Sequence, residues 1–184
     1  GVYRTSDMGG TWEALGLEGN EITDFDFGSS GTILYVGAKN GGPFKSTNNG
    51  TNWTGVNNGL TTQYIRTLAI SPSLNETYLF AGTSGEGVFL STNNGANWNA
   101  VNNGLTNQSV RALAISHGFG ETNIFAGTYN TSGGGVFLST NNGTNWTTVN
   151  DGLTNQWVRT LTVSENNLFA GTGGSGVFLS TNNG

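Results

Sequence analysis

The side chains best suited to chemistry in this sequence are few, and most of them recur. Arg66, Arg111 and Arg159 stand at the same point of a repeated segment: Ile65-Arg66-Thr67-Leu68-Ala69-Ile70, Val110–Ile115 and Val158–Val163. Guanidinium groups gathered at equivalent points would present paired N–H donors to a carboxylate or sulfate. The plainer alternative is that each arginine pairs with carbonyls or an acid of the next unit, and strict repetition favours it. Thr23 takes the place in the first unit, so the set is incomplete. Asp24 and Asp26 alternate along one segment, which puts both carboxylates on one strand face. Glycoside hydrolysis needs two carboxylates roughly 5–9.5 Å apart, so the pair is the catalytic candidate; a solvated or channel-lining pair is the plainer reading. The other units carry small residues there: Thr67 and Ala69, Ala112 and Ala114, Thr160 and Thr162. Trp157 breaks the repeat where Tyr64 and Ser109 stand. Beside Arg159 it is placed to stack a sugar ring, or else to fill the start of a strand. His117 is the only histidine, in the loop His117-Gly118-Phe119-Gly120, and there is no cysteine. Neither a transition-metal site nor a cofactor is expected.

The elements that position these residues are written in the composition. The 184 residues include 31 Gly, 2 Pro and only 9% charged side chains. Ten Phe, five Trp and five Tyr recur at fixed intervals, unlike disordered chains, which are charged and poor in aromatics. Net charge is −5, with Asp7, Glu13, Glu18, Glu21, Asp24 and Asp26 all near the start. With no basic run to neutralise phosphates, nucleic acid is not an expected partner. No apolar run approaches the roughly 18 residues of a membrane span.

The most visible repeat is Ser-Thr-Asn-Asn-Gly, at Ser46–Gly50, Ser91–Gly95, Ser139–Gly143 and Ser180–Gly184, with the diverged copy Thr5-Ser6-Asp7-Met8-Gly9. These boxes are spaced 41, 45, 48 and 41 residues apart, and the first four are followed by Trp12, Trp53, Trp98 and Trp146. Such a period suits a four-stranded blade. Short apolar runs such as Gly135-Val136-Phe137-Leu138 and Ile124–Thr128 alternate with Asn-Gly and Asp-Gly turns, which predicts antiparallel meanders. In a box, Asp or Asn accepts backbone N–H bonds, Ser or Thr adds a hydroxyl contact, and Gly supplies a positive φ. The Trp is expected to pack back over the turn. Asn-x-Ser/Thr sequons at Asn49, Asn52, Asn75, Asn107, Asn130, Asn142 and Asn145 follow from this composition.

The pattern Ser/Thr-x-Asp/Asn-x-Gly-x-x-Trp resembles the Asp-box, or BNR repeat, of sialidases, sortilin-type receptors, xyloglucanases and photosystem II assembly-factor-like proteins. It is carried by Thr5-Asp7-Gly9-Trp12, Ser46-Asn48-Gly50-Trp53, Ser91-Asn93-Gly95-Trp98 and Ser139-Asn141-Gly143-Trp146, with Ser180, Asn182 and Gly184 opening a fifth. The later boxes carry Asn where the family usually has Asp. The resemblance implies an all-β fold: a β-propeller of four-stranded antiparallel blades, about four of them present. One propeller domain is expected over 1–184, with units 5–45, 46–90, 91–138 and 139–179 and a partial unit 180–184. Gly1-Val2-Tyr3-Arg4-Thr5 and Gly176-Val177-Phe178-Leu179-Ser180 are the same element, so the sequence reads as a window on a longer array. The alternatives are a ring closed by the N-terminal strand, or several chains forming one ring. The expected function is a non-enzymatic, extracellular or cell-surface scaffold or binding module, of bacterial type, for a polysaccharide or another protein. The alternative is a xyloglucanase- or sialidase-like glycoside hydrolase, or a fragment of one.

Overall fold

A computed structural model of the chain describes residues 1–28, 31–72, 77–117, 122–129 and 134–184. Residues 118–120 of the His117 loop and the sequons at Asn75 and Asn130 lie outside the described residues. The described residues form strands and turns without a helix. A hairpin of β1 (Tyr3–Arg4) and β2 (Glu13–Ala14) comes first. Three four-stranded antiparallel meanders follow. The first joins β3 (Ile22–Phe27), β4 (Leu34–Ala38), β5 (Gly42–Ser46) and β6 (Thr54–Gly55). The second joins β7 (Ile65–Pro72), β8 (Thr77–Thr83), β9 (Val88–Ser91) and β10 (Asn99–Ala100). The third joins β11 (Val110–Ser116), β12 (Asn123–Thr128), β13 (Gly135–Ser139) and β14 (Thr147–Thr148). A three-stranded sheet of β15 (Val158–Ser164), β16 (Asn167–Thr172) and β17 (Val177–Ser180) closes the series.

Consecutive sheets stack face to face, so the second strand of an internal sheet is covered on both sides; β12 is buried along its whole length. Three apolar clusters fill the boundaries between the four larger sheets. The first gathers Tyr35, Ile65, Leu68 and Trp98, the second Phe80, Val110, Leu113 and Trp146, and the third Phe125, Val158, Leu161 and Leu168. Glycine in the second strand sets how closely sheets approach. A Cβ on Gly37 would meet Ile65 at 2.8 Å, on Gly82 Val110 at 2.7 Å, and on Gly127 Val158 at 2.6 Å. That contact is the physical reason for the recurring glycine in these strands.

The boxes join the third strand to the fourth. In Ser46–Gly50 the Ser46 hydroxyl accepts the Gly50 N–H at 2.9 Å and donates to Asn48 Oδ1, which accepts the Asn52 N–H at 2.9 Å. The same bonds recur at Ser91, Asn93 and Gly95 and at Ser139, Asn141 and Gly143. The start of the fifth box has the two serine bonds: Ser180 donates to Asn182 Oδ1 and accepts the Gly184 N–H.

The tryptophan does more than cover its own turn. Its indole N–H donates to a backbone carbonyl of the preceding sheet: Trp53 to Leu15, Trp98 to Val56 and Trp146 to Val101, at 2.7–2.8 Å. Trp98 and Trp146 are 3% exposed, whereas Trp12, which has no preceding sheet, is 63% exposed. The box Trp is therefore a staple between blades.

Asp7 is the one carboxylate in the box position. It accepts from the Thr11 N–H at 2.9 Å, the Thr11 hydroxyl at 2.7 Å and the Thr5 hydroxyl at 2.7 Å. The Thr11 backbone bond first, then the two hydroxyls, hold its pKa down from 3.8 to about 2. A depressed carboxylate stabilises the turn fully above its unfolded pKa of 3.8 and loses that contribution as pH falls toward 2. An NMR titration of the Asp7 carboxyl carbon is expected to place its midpoint near pH 2; a midpoint near the ordinary carboxylate value would show that these bonds do not form.

Candidate functional site

The inner strands β3, β7, β11 and β15 each carry one register shift against their neighbour, between Ile22 and Asp24, Ile65 and Thr67, Val110 and Ala112, and Val158 and Thr160. The residue left out of the ladder is Thr23, Arg66, Arg111 or Arg159. A bulge frees a residue from pairing and re-aims its side chain. The three arginines thus leave the sheets at one level, all at the same end of the inner strands.

The structure brings them together. The Arg66 guanidinium lies 4.5 Å from the Tyr64 ring centre, and that of Arg111 lies 4.7 Å from the ring of Tyr129. Arg159 approaches the same Tyr129 ring at 5.4 Å, and Trp157 packs on Tyr129 with ring centres 5.4 Å apart. Gly173 leaves the space Arg159 uses, since a Cβ there would meet its Nε at 3.0 Å. Lys39 extends the series over Tyr64 while it pairs with Glu21 at 3.0 Å. The result is a stripe of alternating cations and aromatic faces crossing four sheets. Tyr faces attract cations without neutralising them.

Among the described residues no carboxylate pairs with Arg66, Arg111 or Arg159. Nε of Arg66 and Nε of Arg111 are buried with no hydrogen-bond partner. Burial first, then the charges of Arg66 and Arg159, lower the pKa of Arg111. Three like charges held this close repel one another, and an anion laid across them would relieve both the repulsion and the missing hydrogen bonds. Tyr129 and Lys39 were not expected from the sequence. The signal for both is their place directly after the second strand, where Ser84 and Gly173 also stand.

Asp24 and Asp26 are occupied elsewhere. Asp24 Oδ2 accepts the N–H of Leu68 at 2.9 Å and Asp26 Oδ2 that of Ile70 at 2.8 Å, both on the inner strand of the next sheet. Their other oxygens accept from Phe25 and Phe27. Thr67 makes the corresponding bond to Leu113 N–H. The two acids therefore tie adjacent inner strands, and burial above all raises the pKa of Asp26.

No protein-family model matches the chain, and no curated protein matches it. Solved structures do. An ancestral GH74 enzyme is 26% identical over 90% of the chain, with a TM-score of 0.70. The GH74 xyloglucanase from Xanthomonas campestris is 18% identical over 96%, with a TM-score of 0.67. The chain spans 23% and 26% of the length of those two enzymes. YCF48 bound to D1 peptide is 16% identical over 98% of the chain and 59% of its own, with a TM-score of 0.66. The stacked four-stranded meanders and these neighbours make the chain an all-β array of β-propeller blades.

Proposed function

We propose that the chain is a non-enzymatic binding module of Asp-box type, acting outside the cell, whose arginine–aromatic stripe takes an anionic group of a protein or polysaccharide. The observation that carries this reading is the trio Arg66, Arg111 and Arg159, close together on tyrosine faces with no acid among the described residues to neutralise them. The pairing of Asp24 and Asp26 with backbone N–H groups supports a binding role over glycoside hydrolysis. The peptide held by the YCF48 propeller makes a protein ligand the first choice for testing.

The test is titration of the chain with an acidic peptide and, separately, with a sulfated oligosaccharide. One of the two is expected to bind, more weakly as salt rises. Arg111→Gln removes a charge-assisted bond worth about 1.5–3 kcal/mol, so affinity is expected to fall by about ten- to a hundred-fold. Binding of neither probe, or equal binding by Arg111→Gln, would overturn the reading. Sugar release from xyloglucan that is lost in Asp24→Asn would instead establish the hydrolase.

A further inference from the structure

The boundaries between the four larger sheets differ at one place. Directly after the second strand stand Lys39, Ser84 and Tyr129; two residues before the arginine of the next sheet stand Tyr64, Ser109 and Trp157. Each of these pairs meets across its boundary. Lys39 lies over the Tyr64 ring at 5.6 Å, and Tyr129 packs on Trp157 with ring centres 5.4 Å apart. Ser84 and Ser109 form a single antiparallel bridge. The middle boundary, between two four-stranded sheets, thus carries two small hydroxyl side chains where its neighbours carry a long or an aromatic one. Residues opposed in an antiparallel pair share a face, so both hydroxyls stand on one side of the bridge. Ser84 is exposed and Ser109 half-buried. Among the described residues neither hydroxyl has a hydrogen-bond partner.

The same boundary carries the two unpartnered guanidinium nitrogens. Arg66 leaves the sheet on one side of it and Arg111 the sheet on the other, and Nε of each is buried without an acceptor. Arg66 lies on the ring of Tyr64, two residues before it, at 4.5 Å, so that position shares a side of the sheet with the bulged arginine. Ser109 holds the position before Arg111. Two Nε–H groups and two hydroxyls therefore stand at one boundary with no acceptor of their own. A carboxylate would bring two oxygens and one charge to them. A phosphomonoester brings three strong acceptor oxygens and a charge of about −1.5 to −2, which suits both the number of donors and the mutual repulsion of Arg66, Arg111 and Arg159. The flanking rings are already engaged, Tyr64 by Lys39 and Arg66 and Tyr129 by Arg111 and Arg159. A sugar ring would have to displace a cation to stack beside the anion, whereas a phosphorylated side chain needs no such platform.

Resting on the anion-binding reading above, we propose that the boundary between the β7–β10 and β11–β14 meanders is a phosphomonoester site, and that its ligand is a phosphorylated serine or threonine of a protein. Arg66 and Arg111 donate to the phosphoryl oxygens from the two sheets, and Ser84 and Ser109 donate from the bridge between them. Arg159 and Lys39 lie to either side, at the neighbouring boundaries, and contribute attraction without contact. The serines set the choice of anion, because they turn a general cationic stripe into one place with room and donors for a tetrahedral group.

Three peptides with identical flanks, carrying phosphoserine, glutamate or serine at the centre, separate this proposal from the reading it rests on. In calorimetric titration the phosphoserine peptide is expected to bind about ten- to a hundred-fold more tightly than the glutamate peptide, the worth of one further charge-assisted hydrogen bond, with the serine peptide weakest. Ser84→Ala/Ser109→Ala is expected to weaken the phosphoserine peptide about ten-fold and to leave the glutamate peptide and the circular dichroism of the chain unchanged. Arg111→Gln is expected to weaken both peptides. Equal affinity for the phosphoserine and glutamate peptides would overturn the phosphomonoester site while the anion-binding reading stands; binding of no peptide would overturn both. A phosphoserine preference that survives Ser84→Ala/Ser109→Ala would remove the site from this boundary. Glucose 6-phosphate that binds as tightly as the phosphoserine peptide would overturn the protein ligand in favour of a sugar phosphate.

Discussion

Trp98→Ala and Trp146→Ala each lower the stability of the chain by roughly 3–5 kcal/mol, the usual range for a large buried aromatic, whereas Trp12→Ala leaves unfolding of the chain almost unchanged. The difference lies in position within the stack. Trp98 and Trp146 belong to the apolar clusters of two boundaries, and their indoles donate to Val56 and Val101 of the preceding sheet. Truncation opens a cavity and leaves a carbonyl without its partner, so the loss includes both. Trp12 covers the same kind of turn and touches no earlier sheet. Urea unfolding of the three variants measures the contrast. Equal effects at all three positions would show that the tryptophan serves its own turn and not the boundary.

Gly104→Ala is the second large effect expected, about 2–5 kcal/mol, against about 1–2 kcal/mol for Gly152→Ala. Both glycines have positive φ, 82° and 75°, so both variants carry the roughly 1–2 kcal/mol strain of a left-handed alanine. Only Gly104 also lies under the next blade: its Cβ would sit 2.2 Å from the Trp146 backbone oxygen. Relieving that overlap means pushing two sheets apart, an overpacking cost of about 1–3 kcal/mol. The shift in urea midpoint between the two variants reads the steric part alone. Equal midpoints would mean that the sheets separate without cost at this point.

The turns were legible in the sequence because each box satisfies itself within a few residues; Ser46, Asn48 and Gly50 are chosen by one another, not by anything distant. Strand order and the meander followed from the same periodicity. What joins one unit to the next was not legible. The indole of Trp98 bonds a residue 42 positions away, and Asp24 bonds one 44 positions away. No local preference distinguishes that use of an aspartate from a catalytic one. Equivalence of the three arginines was visible, but not the bulge that aims them or the Tyr129 ring between two of them. Repetition was taken to favour pairing with a neighbouring acid or carbonyl; the structure instead leaves Nε of Arg66 and Arg111 without partners.

The bulge on each inner strand also separates two kinds of evolutionary change. A residue outside the ladder contributes nothing to register, so the position held by Arg66, Arg111 and Arg159 can differ without moving any strand, as Thr23 at the same place in the first sheet illustrates. Duplicated units can therefore share one scaffold and still diverge at a single address per blade that stands outside the ladder. A polymeric ligand crossing several blades would meet a short row of such addresses, each adjustable by one codon, while the glycines and tryptophans that set the stacking remain untouched.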